Sequence, residues 1–140
     1  MMLIRPYQQI DESAVVALWD TCQLTRPWND PRKDITRKLD VQPELFLVGA
    51  VAGDVMASVM CGYDGHRGWV NYLAVLPRYQ RRGYGQTLMQ AAEQGLLAMG
   101  CPKINLQVRS NNDNVLAFYR HIGYVQDEVV TLGKRLIPDI

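Results

Sequence analysis

The sequence predicts an α/β domain of the mixed α+β kind, a mixed sheet covered by helices, and three observations carry that prediction. Residues 45–51, 55–62 and 69–75 are consecutive apolar stretches separated by the turn residues Gly53-Asp54 and the 62–68 segment, the pattern of strands that pair antiparallel. Residues 86–99 place Leu88, Ala92, Leu96 and Met99 at helical spacing, and Gly100 with Pro102 beyond it ends the run. Residues 103–108 alternate Ile104, Leu106 and Val108, so 69–108 reads strand, helix, strand and should close as a right-handed parallel crossover.

The remaining elements follow in chain order. Residues 3–7 read as a first strand. Asp11 should cap a helix whose Ala14, Val15, Leu18, Trp19 and Cys22 share one face. Asp30-Pro31, an acidic cap with proline at the first helical position, starts a second helix carrying Ile35 and Leu39 four apart. After the crossover, Asn112 or Asp113 caps a short helix through Ile122 that ends at Gly123, and residues 125–132 return as a last strand or pair. The order is strand, two helices, three strands, helix, strand, helix, and one or two closing strands.

At 140 residues the chain has the size of one domain, residues 1–140, with enough length to bury a real core. With 48% of residues hydrophobic, 21% charged and a net charge of +1, bulk electrostatics name no partner, and the basic excess that nucleic-acid binding normally requires is absent. Cys22, Cys61 and Cys101 are odd in number, far apart and set in apolar stretches, so they read as buried free thiols rather than a disulfide set or a metal site, which suits a reducing cytoplasm. No run approaches the roughly 20 apolar residues needed to span a bilayer, so no membrane partner is expected.

The chemical clue is the run Gln80-Arg81-Arg82-Gly83-Tyr84-Gly85 between the 69–75 strand and the long helix. Glycines there let the backbone turn tightly and approach a ligand, while the free N–H groups and dipole of the following helix favour an anion. Arg78, Arg81 and Arg82 surround the turn and suit phosphate oxygens, although a solvated basic loop is the usual meaning of such a cluster. No Lys-Ser or Lys-Thr follows the glycines and no third glycine stands in dinucleotide register, which argues against ATP and NAD.

Together with Asn112, Ala117-Phe118-Tyr119 and Gly123-Tyr124 after the next strand, this motif resembles the GNAT superfamily of acyl-CoA-dependent N-acyltransferases over nearly the whole chain. The runs Trp28-Asn29-Asp30-Pro31 and Gly62-Tyr63-Asp64-Gly65-His66-Arg67-Gly68 look like those of the bacterial YpeA-type acetyltransferases. The resemblance implies a central splayed mixed sheet flanked by about four helices, acetyl-CoA as acyl donor with no metal, and transfer to an amine acceptor. It also implies that Leu73, Ala74 and Val75 bond the pantetheine arm like an added strand. Backbone N–H groups of Arg81, Arg82, Gly83, Tyr84, Gly85 and Gln86 would bind the pyrophosphate. Asn112 would help hold the pantetheine side, a role compatible with capping its helix. A homodimer is expected from the family alone.

Tyr119 matches the family tyrosine that faces the sulfur and donates a proton or hydrogen bond to it. Read without the match, it is a core aromatic beside Phe118. In the related ribosomal-protein N-terminal alanine acetyltransferases a glutamate precedes the tyrosine by twelve residues; here that position is Gln107, whose amide cannot accept the amine proton but can orient the acceptor or a water. Asp64, His66, Glu44 and Asp30 are possible substitutes. The missing base favours an α-amine, with pKa of about 7.7, or another weakly basic amine over a lysine-like amine near 10.4. Acceptor recognition is expected from Trp28, Asn29, Asp30, Tyr63, Asp64, His66 and Arg67. Asp30 is equally a helix start and Asp64-Gly65 equally a turn. A reading from a different class, an acyl-CoA-binding regulator without transfer chemistry, is motivated by Gln107.

Overall fold

The computed structural model describes residues 1–139. Its elements are β1 (Leu3–Pro6), α1 (Glu12–Thr21), α2 (Pro31–Leu39), β2 (Phe46–Val51), β3 (Asp54–Tyr63), β4 (Gly68–Val75), α3 (Tyr84–Ala98), β5 (Ile104–Leu106) and α4 (Asp113–His121), with single 3₁₀ turns at Gln9–Asp11, Pro43–Leu45 and Pro77–Tyr79. The five strands form one sheet in the order β1-β2-β3-β4-β5. The first four pair antiparallel and β4 pairs β5 in parallel, as the strand-helix-strand reading requires.

Strand alternation sends apolar side chains to both faces, and each face meets its own helical layer. On one face Met56, Val59, Cys61 and Val70 pack with Leu88, Met89, Ala92 and Leu96 of α3 and with Tyr119 of α4. On the other, Phe46, Val48, Met60 and Ala74 pack with Val15, Leu18 and Trp19 of α1 and Ile35 of α2. Cys61 and Cys101 are buried free thiols, while Cys22 is half-buried.

Several local expectations change. Asp11 does not cap α1 through its side chain. Its carboxylate instead accepts two bonds from Arg5 (2.7 and 2.9 Å) and one from the Gln8 N–H (2.8 Å), and this stronger charge-assisted pairing holds it below the usual carboxylate range. The second strand begins at Phe46 because residues 43–45 form a proline-initiated 3₁₀ turn. The β2–β3 turn is Ala52-Gly53, both left-handed (φ 52° and 84°), the two-residue geometry that matches strand twist.

The expected strand over 125–132 is absent. β5 offers a ladder of only three residues, too short an edge to template a returning strand, and Gln126, Asp127 and Glu128 interrupt the apolar alternation. Asp127 is held instead by Lys103 at 2.8 Å, and the chain continues to Asp139, which accepts from Arg37 (2.6 Å) and from the Asp30 N–H (2.8 Å) at the start of α2.

Candidate active site

The gap between β4 and β5 is the centre of the site. β4 runs to Val75, but its pairing with β5 stops at Val70↔Leu106. The cause lies in β4: between Asn71↔Met60 and Ala74↔Ser58 two residues, Tyr72 and Leu73, oppose the single Val59, and Tyr72 is left-handed at φ 54°. This is a β-bulge, which bends and twists the strand locally. The shortened β5, confined to residues 104–106 of the expected 103–108, follows from it.

A buried chain of hydrogen bonds holds the bulge. The Trp19 indole N–H donates to Ser58 Oγ (2.9 Å), the Ser58 hydroxyl donates to the Tyr72 carbonyl (2.8 Å), and the Tyr72 hydroxyl donates to Asp34 on α2 (2.6 Å). The Tyr72 ring stacks on Trp19 with centroids 3.8 Å apart. Burial, and secondarily the Asp34 bond, push the Tyr72 phenol well above its ordinary pKa. Sequence reading missed Tyr72. Its signal was present in the phase slip of the strand, where Val70 and Leu73 serve the same face three residues apart instead of two.

Backbone direction then separates the three strand candidates. The Leu76 N–H bonds Met56 on β3 (2.9 Å), and successive residues of a strand point their N–H and C=O to opposite edges. Val75 and Leu73 therefore face the open gap, whereas Ala74 faces β3 and adds its side chain to the α1–α2 core. The Val75 carbonyl already accepts from Gln80 Nε2 (2.9 Å) and from the Cys22 thiol (3.3 Å). The groups left toward the gap are the Leu73 peptide edge and the Val75 N–H.

The glycine turn follows directly. Gly83 is left-handed (φ 83°) at the N-cap of α3 and supplies no side-chain cap, so the N–H groups of Tyr84, Gly85 and Gln86 have no intrahelical acceptor; the first such bond is Thr87 N–H to the Gly83 carbonyl at 3.0 Å. Gly83 is favoured by its φ, and Gly85 sits where a Cβ would lie 3.3 Å from Phe118 Cζ, a tight contact that the Phe118 ring would have to give way to. Arg81 also adopts a left-handed φ of 63°. Arg78 and Arg82 lie over the Tyr79 ring (5.2 and 5.6 Å), and among the described residues none of the three arginines forms a salt bridge. Unpaired helix N–H groups beside unneutralised guanidinium groups fit the pyrophosphate of a CoA thioester. No group of side chains able to hold a metal occurs among the described residues.

Tyr119 projects from α4 into the α3-side core with 8% of its surface exposed. Its ring meets Phe118 and Tyr124 edge-on (5.1 and 5.5 Å). Tyr124 donates to Glu93 (2.6 Å), whereas the Tyr119 hydroxyl has no hydrogen-bond partner among the described residues, and desolvation pushes its pKa up to about 12. Asn112 caps α4 by accepting from the Val115 N–H (3.3 Å), which leaves its NH₂ for a ligand. Gln107 is exposed just past the end of β5.

The acceptor candidates divide. Tyr63 ends β3, and Asp64, His66 and Arg67 form the β3–β4 turn at the closed end of the β4–β5 pair, beside Gly68, which lies five residues from Leu73 along β4, or roughly 17 Å at about 3.3 Å per residue. Asp64 accepts from the His66 and Arg67 N–H groups (2.8 and 2.7 Å) and organises that turn. These backbone bonds, the one from Arg67 foremost, lower its pKa. Asp30 caps α2 through the Arg32 N–H (2.9 Å), and Asn29 accepts from Arg135. Trp28 stands beside Arg109, whose guanidinium lies 5.9 Å from its ring centre. Of this set, Trp28 reaches the chain that leaves β5.

Comparison with known proteins bears on the family and the fold. The acetyltransferase (GNAT) family pattern matches residues 14–124. An acetyltransferase of Sodalis glossinidius is 52% identical over 139 residues, 99% of this chain and 98% of its own length. Ard1 from Thermoplasma volcanium is similar in structure with a TM-score of 0.73 at 26% identity, covering 89% of this chain and 82% of that one. AAC(6')-Iy, solved in complex with the bisubstrate analog CoA-S-monomethyl-acetylneamine, superposes with a TM-score of 0.79 at 16% identity over 97% of this chain and 99% of that one, a likeness of fold. The chain belongs to the GNAT acetyltransferase family.

Proposed function

We propose that the protein transfers the acetyl group of acetyl-CoA to a primary amine, of a small molecule or of a protein or peptide N-terminus, by direct attack within a ternary complex. The observation that carries this reading is the β4–β5 gap, which opens at the Tyr72 bulge beside a helix whose first N–H groups lack intrahelical acceptors, with the Tyr119 phenol on the α3-side face. When bound, acetyl-CoA supplies an activated thioester; the amine forms the new N–C bond, the C–S bond breaks, and the proton lost by nitrogen leaves with solvent or thiolate.

The chain's own groups take the remaining roles. Leu73 and the Val75 N–H bond the pantetheine arm, the Asn112 NH₂ supports it, and the N–H groups of residues 84–86 with Arg81 and Arg82 hold the pyrophosphate. Tyr119 donates a hydrogen bond to sulfur as charge builds there. Gln107 orients the acceptor without deprotonating it, which favours an amine already partly neutral near pH 7. A calorimetric titration of acetyl-CoA, with desulfo-CoA and ATP for comparison, tests the donor site: saturable binding shared by desulfo-CoA and not by ATP is expected, and no binding refutes the reading. The regulator reading, favoured by Gln107, predicts instead that Tyr119→Phe leaves the background rate of acetyl transfer and hydrolysis unchanged.

A further inference from the structure

The loop between α1 and α2 meets the chain leaving β5 at one contact, the Arg109 guanidinium over the Trp28 indole. Both side chains are exposed, Trp28 at 53%. Arg109 follows Gln107 by two residues, past the point where β5 has separated from β4, and Trp28 belongs to the layer that covers the Ala74 face of the sheet. The opposite face is filled by α3 and α4. The contact therefore lies beyond the last β4–β5 pair, Val70↔Leu106, where the chain leaving β5 nears the α1–α2 loop.

The Arg109 guanidinium has no ion-pair partner: among the described residues no carboxylate lies within salt-bridge range of it. The nearby acids of the α1–α2 layer are already committed: Asp30 to the α2 N-terminus, Asp34 to the Tyr72 hydroxyl and Asp139 to Arg37. Arg135, bonded to Asn29, is itself paired with Asp139 at 3.6 Å. The Trp28 face, expected to cover a carbon chain or a cationic head of the acceptor, is thus occupied by the protein's own cation.

Resting on the acetyl-transfer reading, we infer that Arg109, beside the Trp28 ring, is a specificity residue that selects acceptors carrying a carboxylate close to the reacting amine. The guanidinium fork matches the two oxygens of a carboxylate, and the indole 5.9 Å away gives the guanidinium a cation–π neighbour. The carboxylate would orient the molecule and the amine would be placed by geometry.

The test compares acetylation of a dipeptide and of its C-terminal amide by the full chain, after calorimetry has established acetyl-CoA binding. Both acceptors present an α-amine with pKa of about 7.7–8.0, so they differ in the carboxylate and not in the fraction of neutral amine. The expected result is a kcat/KM at least about tenfold higher for the dipeptide, a preference abolished in Arg109→Gln and partly kept in Arg109→Lys, with acetyl-CoA affinity and amide turnover within about twofold of the parent. Equal kcat/KM for the two acceptors, transfer to neither while acetyl-CoA binds, or an Arg109→Gln loss shared equally by both acceptors would overturn the inference. Failure of acetyl-CoA to bind would overturn the transfer reading itself.

Discussion

Replacing Tyr119 with phenylalanine removes one oxygen from a residue that is 8% exposed and whose hydroxyl bonds nothing among the described residues. The edge-on contacts with Phe118 and Tyr124 need only the ring, so stability should not fall. The hydroxyl bonds no group among the described residues and is not a fully buried atom, so its removal should leave Tm nearly unchanged. Activity should respond differently. With the phenol at about 12 and a free thiol near 8.5, complete proton transfer to thiolate is uphill by about 3.5 pKa units, or about 5 kcal/mol. Burial of the thiolate in the same apolar surroundings narrows that gap. The phenol is therefore best suited to a hydrogen bond that strengthens as the C–S bond breaks. Such a bond to a charged partner contributes about 1.5–3 kcal/mol, a factor of roughly 10–150 in kcat. Thiol release at saturating acetyl-CoA, with calorimetry for Kd and a thermal melt, reads all three quantities. A kcat within twofold of the parent, or a Tm lowered by several degrees, would refute the assignment and return Tyr119 to packing alone.

Gly83→Ala forces a Cβ onto a φ of 83° at the α3 N-cap and should cost about 1 kcal/mol of stability while weakening acetyl-CoA binding, measured by melts and calorimetry. Arg81→Ala with Arg82→Ala should weaken acetyl-CoA binding and flatten its decline with added salt, because the exposed guanidinium groups act through screened charge. Ser58→Ala strands the Trp19 indole N–H and the Tyr72 carbonyl and should cost about 1–3 kcal/mol, with kcat falling as the bulge loosens. Arg37 first, and then the Asp30 N–H, hold Asp139 down to about 2; a depressed carboxylate stabilises the fold above its unfolded value near 4 and loses that contribution as pH falls through about 2. The Tm deficit of Asp139→Asn should accordingly be full at neutral pH and close between about pH 4 and pH 2.

What the sequence made legible was whatever depended on local periodicity or backbone chemistry. Leu88, Ala92 and Leu96 share a face by spacing alone, and Gly83, Gly100 and Gly123 mark left-handed positions that glycine favours. Asp30-Pro31 announced α2 for the same reason. What escaped was settled by tertiary competition. Asp11 has the chemistry of a cap, yet Arg5, six residues away in sequence, binds it more strongly. Residues 125–132 have strand composition, but a three-residue neighbour cannot pair them. His66 and Asp64 looked chemical by residue type, and only the register of β4 with β5 places them at the closed end of the gap.

The bulge ties the two layers of the molecule into one site. Tyr72 holds a left-handed φ that costs a tyrosine of order 1–3 kcal/mol, and its restraints all come from the α1–α2 side: Trp19 by stacking, Ser58 through the carbonyl, Asp34 through the hydroxyl. Its consequence appears at the other edge of the strand, where Leu73 and Val75 turn toward a gap that β5 no longer fills. The elements that would meet the acceptor therefore also open the cleft for the donor, since α2 carries Asp34 and its preceding loop carries Trp28. A change in α2 made to alter acceptor preference should disturb donor binding as well unless Asp34 keeps its bond to Tyr72, whereas changes at Trp28 or Arg109, which restrain nothing in β4, should leave the donor site intact.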